Sequence, residues 1–301
     1  MATAHHPRAR TARRSITVSL LAAGLVLALL LNPDSSKVEA SGLFGGLRSP
    51  GDASFIVAHR GDRTIAPENT MPALQAALDG PMAYVESDIQ LTKDRVPVLL
   101  HDTWVDRTTN GTGRIADLTF SQLGELDAGA WYSPAFAGTR VPRLEALLSA
   151  LQASAAEHRT PRALLELKGF WSVEEVRIVT DLIAQYDVGR LIILSSFDPV
   201  TLQHAQEVDE TIPRAVIVRT LPSDPVRFAR LYGAIAIITS HTAVESDRWV
   251  VDRVHRAGLG ILLYTLNSKA AWSSALDLGV DGIITDRPHR LDTWMSAKTL
   301  K

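Results

Sequence analysis

From Phe55 onward, short apolar runs alternate with longer amphipathic stretches. Runs at 55–58, 83–89, 96–100, 163–167, 190–195, 214–219, 234–239, 259–264 and 281–285 have the length and the turn-residue borders of strands. Between most of them lie segments of helical period with clear punctuation. Thr70 before Pro72 opens one helix and Gly80-Pro81 closes it, and others end near Gly189, Gly233, Gly258 and Gly279. Strand and helix alternating over about 230 residues predict a parallel sheet, and about eight such units favour a closed (β/α)8 TIM barrel over an open doubly wound sheet. No glycine-rich dinucleotide fingerprint follows any strand, which argues further against the open sheet.

Two stretches break the rhythm. Between Thr103 and Val141 there are turn signals (Asn110-Gly111-Thr112-Gly113, Ser133-Pro134, Ala137-Gly138), five aromatics (Trp104, Phe120, Trp131, Tyr132, Phe136) and one short helical candidate near 119–127. This reads as an insertion above the C-terminal rim of the barrel, where substrate sites lie, with most of its aromatics expected to form a small core of their own. Before Phe55, the uncharged apolar run 16–31 follows Arg8, Arg10, Arg13 and Arg14 and is followed by Val38-Glu39-Ala40. Residues 1–40 read as an export signal cleaved after Ala40 or as an uncleaved anchor, with a weak twin-arginine hint in Arg13-Arg14. Residues 41–54, rich in Gly and Ser, read as a linker to a barrel spanning 55–295. The protein is expected outside the cytoplasmic membrane, as a secreted, periplasmic or cell-surface form.

Composition narrows the picture little but excludes some classes. An apolar share of 46% with 21% charged residues describes a folded globular chain. The absence of cysteine removes disulfides, thiolate zinc sites and a lipidated cysteine. From Ser41 onward there are 26 basic and 31 acidic side chains, a net charge of −5. Such a globule has no electrostatic footprint for nucleic acid, so an anionic substrate needs a local cation.

The candidate chemistry closes the strand-like runs. His59 and Arg60 follow the first run, Glu86 and Asp88 stand two apart in the second, His101 and Asp102 follow the third, and Glu166 and Lys168 stand two apart at the fourth. Strand residues two apart share a face. Adjacent carboxylates raise one another's pKa unless a cation lies between them, and a hard divalent ion with oxygen ligands suits Glu86, Asp88 and Glu166. Taken alone, the Glu86–Asp88 pair fits a solvated strand face equally well, and Glu166 with Lys168 fits an internal salt bridge; the flanking histidines favour the cation site. Lys168 would then be available to a phosphate. His59 and His101 suit general acid and base catalysis, and Arg60 can fork two donors onto phosphate oxygens.

In order and spacing, the chain resembles the glycerophosphodiester phosphodiesterase family. The resemblance rests on His59-Arg60-Gly61, Pro67-Glu68-Asn69-Thr70, Glu86-x-Asp88, Thr92-Lys93-Asp94, Pro97-Val98, His101-Asp102 and Arg107-Thr108-Thr109-Asn110-Gly111-x-Gly113. It continues through Pro142-x-Leu144-Glu145, Glu166-Leu167-Lys168, Ser196-Phe197, Tyr264-Thr265-Leu266-Asn267 and Asp281-Gly282-Ile283-Ile284-Thr285-Asp286-x-Pro288. It implies a (β/α)8 barrel with a small insertion after the second strand and metal-dependent hydrolysis of glycerophosphodiesters to sn-glycerol 3-phosphate and an alcohol. The implied catalytic pair is His59 and His101. Arg60, Lys168, Phe197 and Tyr264 would bind substrate, and Glu86, Asp88 and Glu166 would hold one Ca2+ or Mg2+. Tyr264 stands where the family usually has Trp, which bears on the shape of the pocket wall. The same barrel acting on lysophospholipids, sphingolipids or glycerophosphate polymers is the alternative. A noncatalytic relative would lack at least one of His59, Glu86, Asp88, His101 or Glu166, and none is missing.

Overall fold

The structure, a computed structural model, describes residues 39–157 and 162–299. The apolar run 16–31 and the proposed signal or anchor up to Val38 lie outside the described residues.

Eight parallel strands close into a barrel: β1 (Phe55–Ala58), β2 (Tyr84–Leu91), β4 (Arg162–Leu167), β5 (Ile192–Ser196), β6 (Arg214–Val218), β7 (Ala236–Ser240), β8 (Gly260–Tyr264) and β9 (Gly282–Thr285). The closure is made by β1, which pairs with β2 through Val57–Tyr84 and with β9 through Val57–Ile284. The run at 96–100 yields β3 (Pro97–Leu99), which is not a barrel strand. It turns back antiparallel on β2, pairing Ile89 with Leu99. The five residues Thr92–Val96 between the two are too few for the helical crossover a parallel neighbour needs.

Side chains alternate between the barrel axis and the surrounding helices. Val57, Tyr84, Leu164, Ile193, Ile217, Ile238, Leu262 and Ile284 fill the interior. Their neighbours Ile56, Val85, Leu165, Leu194, Val216, Ile237, Leu263 and Ile283 pack outward against the helices. Helix 71–79 starts at Thr70 as its punctuation predicts, and helix 269–278 ends on Gly279 in the left-handed conformation.

Two expectations are corrected. Residues 41–54 are not a free linker. Ala40–Phe44 form a short helix whose Ala40, Leu43 and Phe44 are buried with Phe55 and Tyr84 among the interior residues at the strand starts. Phe44 and Phe55 rings lie 5.0 Å apart, the Arg48 amide donates to Asp281 at 2.9 Å, and the Gly51 amide donates to the Leu276 carbonyl at 2.8 Å. Glycine and serine there serve turns, with Gly45, Gly46 and Gly51 all at positive φ. The insertion, in turn, has its own core, but an aliphatic one of Val98, Leu100, Val105, Ile115, Leu123, Ala128 and Val141. Its aromatics stay at the periphery: Trp104 and Trp131 are exposed, and Tyr132 stacks edge-on to both Trp131 and Phe136.

Candidate active site at the C-terminal rim

Counting on by twos from the buried interior residues leads up each strand to the rim. From Val57 the next position is His59, from Tyr84 Glu86 and then Asp88, and from Leu164 Glu166 and then Lys168. Likewise Ile193 leads to Phe197, Ile217 to Arg219, Leu262 to Tyr264 and Ile284 to Asp286. The lower barrel is therefore apolar, and its upper layer carries charge.

Glu86, Asp88 and Glu166 are buried, and each offers a carboxylate oxygen within 4.8 Å of the other two. Strand register makes this meeting: Asp88 pairs directly with Glu166 across β2 and β4. Glu86 accepts from the Arg60 amide at 2.8 Å, and Asp88 accepts from Asn69 at 2.9 Å. Lys168 bridges two of the acids, 2.9 Å from Glu166 and 3.3 Å from Asp88. The internal salt bridge and the acid triad thus coexist. Burial, reinforced by the Asp88 charge, pushes Glu86 well above the ordinary carboxylate range and Glu166 up to about 7. Burial also opposes ionisation of Asp88, but Lys168 and Arg60 outweigh it and hold that carboxyl low. Three buried acids sharing too little positive charge, with only oxygen donors converging, fit a hard divalent cation.

Both histidines are held by carboxylates. His59 Nδ1 lies 2.7 Å from Asp286, and His101 Nδ1 lies 2.6 Å from Asp102. An ionised carboxylate only accepts, so each neutral ring carries its proton on Nδ1 and leaves Nε2 with a lone pair. Burial lowers both histidine pKa values, offset partly by Asp286 for His59 and by Asp88 for His101. Both rings are accordingly biased toward the neutral form. Asp286 also accepts from Asn267 at 2.7 Å, and Asp102 accepts from Arg107 at 2.6 Å.

Arg60 sits in the left-handed region, φ 57°, between the two sets of acids. Its guanidinium pairs with Glu68 at 2.8 Å, while its buried Nε, 3.4 Å from Asp88, makes no hydrogen bond. Gly61 lets the chain turn here. At φ 80°, with a Cβ that would come 2.5 Å from the Ala73 backbone, it allows the loop after His59 to lie directly on helix 71–79. On the far side, the Phe197 and Tyr264 rings meet edge-on at 6.0 Å, and the Arg219 guanidinium covers Phe197 at 4.5 Å. Arg219 was not singled out by sequence, nor was Asp286 except as part of a motif. The strand alternation that marks His59 and Tyr264 points to both. Next to the acids opens a cavity of about 670 Å³ lined by His101, Asp102, Thr103, Trp104, Arg114 and Lys168.

Residues 59–290 match the glycerophosphoryl diester phosphodiesterase family. The chain belongs to this family. It is therefore a phosphoric diester hydrolase. YhdW of Bacillus subtilis, which carries a glycerophosphodiester phosphodiesterase name, is 38% identical over 241 residues, covering 78% of this chain and 95% of the relative. The glycerophosphodiester phosphodiesterase of Caldanaerobacter subterraneus is 29% identical, over 79% of this chain and 96% of its own. Among solved structures, the Agrobacterium tumefaciens glycerophosphodiester phosphodiesterase superposes with a TM-score of 0.69 at 28% identity, over 80% of this chain and all of that one. An Oleispira antarctica phosphodiesterase, solved with its product sn-glycerol-3-phosphate, shares the fold at a TM-score of 0.74 and 24% identity, covering 80% and 96% of the two chains.

Proposed function

We propose that this phosphodiesterase releases sn-glycerol 3-phosphate from glycerophosphodiesters, using His59 and His101 as its proton-transfer pair. The observation that carries the reading is the pair of Nδ1–carboxylate contacts, which leaves two neutral Nε2 atoms on the flanks of a buried acid triad. One ring, neutral at Nε2, takes a proton from the attacking hydroxyl; the other first takes up a proton at Nε2 from solvent and then gives it to the departing alcohol. Asp286 and Asp102 fix the tautomers and stabilise whichever ring becomes charged.

Glu86, Asp88 and Glu166 would hold one divalent cation, Ca2+ or Mg2+, which when bound supplies Lewis-acid stabilisation of charge on a nonbridging phosphate oxygen. Arg60 and Lys168 add fixed positive charge for the same oxygens. The Arg60 Nε makes no hydrogen bond and faces Asp88 at 3.4 Å, so it is one donor a phosphate brought beside Asp88 could share. Phe197 and Tyr264 wall the pocket. Tyrosine in place of tryptophan gives a narrower wall whose hydroxyl donates to the Val218 carbonyl at 3.4 Å.

A larger substrate on the same barrel, a lysophospholipid or a glycerophosphate polymer, is the second reading. It is favoured by the exposed Trp104 at the cavity mouth. The location remains an exported one in this reading.

The test is a coupled assay of glycerol 3-phosphate release from glycerophosphocholine, on chelator-treated protein with Ca2+ or Mg2+ restored. Metal-restored turnover that drops at least ~10²-fold in both His59→Ala and His101→Ala is expected. Full activity in either variant overturns the histidine assignment. Turnover of lysophospholipid without turnover of the soluble diester transfers the chain to the second reading.

A further inference from the structure

Glu68 is a buried carboxylate that is not one of the three triad acids. It accepts hydrogen bonds from two arginines and forms an ion pair with a third. Arg60 and Arg107 each donate to Oε1 at 2.8 Å, and Arg63 stands 2.6 Å from Oε2 in an ion pair. Two of those arginines continue outward to the histidine carboxylates. Arg63 reaches Asp286 at 3.2 Å, and Arg107 reaches Asp102 at 2.6 Å. A continuous chain of contacts therefore runs from His59 through Asp286, Arg63, Glu68, Arg107 and Asp102 to His101. The two histidines stand 42 residues apart in sequence, one after β1 and one at the insertion. A second tie between those loops is the Tyr132 hydroxyl donating to the Arg63 carbonyl at 3.3 Å.

We propose that Glu68 is the positioning residue shared by both histidine–carboxylate pairs: one buried anion sets the placement of Arg63 and Arg107, and through them of Asp286 and Asp102. The inference rests on the roles given to His59 and His101 above. Its physical basis is geometric. Three guanidinium groups cannot gather at one point without a counter-charge, and a carboxylate with two oxygens and about four lone-pair sites can hold them in a fixed fan. Removing the charge frees Arg63 and Arg107 to pair more fully with Asp286 and Asp102, which then have less to give the imidazolium. Both histidines should become weaker bases. A residue that merely stabilised the fold would leave them unchanged.

The experiment compares the full metal-loaded protein with its Glu68→Gln variant by histidine ring NMR titration and by the pH profile of kcat. In Glu68→Gln both histidines are expected to titrate at lower pH, by about half a unit or more, and the acid limb of kcat to move with them. The loss in kcat is expected to be about 10- to 100-fold, with Glu68→Asp recovering part of it. If Glu68→Gln does not fold, Arg63→Gln and Arg107→Gln test the same chain of contacts from its more exposed links. Arg63→Gln should move His59 alone and Arg107→Gln should move His101 alone. Titration curves that superimpose on wild type in every folded variant would overturn the proposal. The titration reads the histidines without turnover, so a wrong substrate assignment would show as an inactive wild type with the shifts intact.

Discussion

Asp286 illustrates how much one side chain can decide. It sits where the inward column of β9 leaves the barrel and accepts from His59, Asn267 and Arg63. Burial alone would raise its pKa, but His59 and Arg63 outweigh that and hold it well below the usual carboxylate range. Replacement by asparagine keeps the shape and removes the acceptor-only character that holds the His59 proton on Nδ1. Asp286→Asn should lower kcat by about 10² or more while leaving KM within a few-fold. Steady-state kinetics of glycerol 3-phosphate release checks this, and a variant with wild-type kcat would contradict it.

At the level of elements, two short pieces of chain do more than their length suggests. The helix 40–44 plugs the barrel floor, so truncating Phe44 opens a cavity far from the rim. Phe44→Ala should cost about 3–5 kcal/mol of stability and lower the melting temperature, with kcat at 25 °C unchanged. Denaturant unfolding alongside the activity assay separates the two effects. The turn after β1 is the opposite case, because it carries His59 and Arg60. Gly61→Ala forces a side chain into left-handed backbone, costing about 1–3 kcal/mol before the clash with the Ala73 backbone is counted. Stability and kcat should fall together there, and a variant losing only stability would show that the turn relaxes without moving His59. Helix 71–79 was legible from Thr70, Pro72 and Gly80, since this punctuation is local in the chain. The plug was not, because its Gly and Ser content resembles a linker and its burial depends on Phe55 and Tyr84 closing the floor beneath it.

For the whole molecule, the acid triad links stability, pH and cation binding. Glu86 and Glu166 have raised pKa values in the folded protein, so the folded state binds more protons than the unfolded one once pH passes the unfolded value near 4.5. Metal-free protein should therefore lose stability as pH rises from about 4.5 through the raised value of about 7 for Glu166, with the raised Glu86 acting in the same direction. The depressed carboxyls Glu68, Asp102 and Asp286 act in the opposite sense: their stabilisation is present above their unfolded values and is lost as pH falls through the folded ones. A stability maximum on the acid side of neutrality is expected for chelated protein. A divalent cation held by the triad would take the place of these protons, so its stabilising effect should be larger at pH 7.5 than at pH 5. Thermal unfolding at the two pH values, with and without Ca2+ or Mg2+, measures this; an equal shift at both would break the link between the raised carboxyls and the cation.

Sequence alone determined the barrel, the positions of its eight strands and the charged residues at the ends of its first ones, because apolar alternation and turn punctuation are written in neighbouring positions. Glu86 and Asp88 had to share a face, and His59 and His101 had to stand at strand ends, whatever the rest of the chain did. Tertiary structure decided everything that depends on which strands meet. It turned the 96–100 run into an antiparallel flap, since only pairing partners distinguish that from a barrel strand. It set Asp88 against Glu166, 78 residues apart, through strand register. It also gathered Arg60, Arg63 and Arg107 on Glu68, a convergence from two loops that no local spacing encodes. Periodicity tells a side chain which way to face, and closure of the barrel tells it what it will find there.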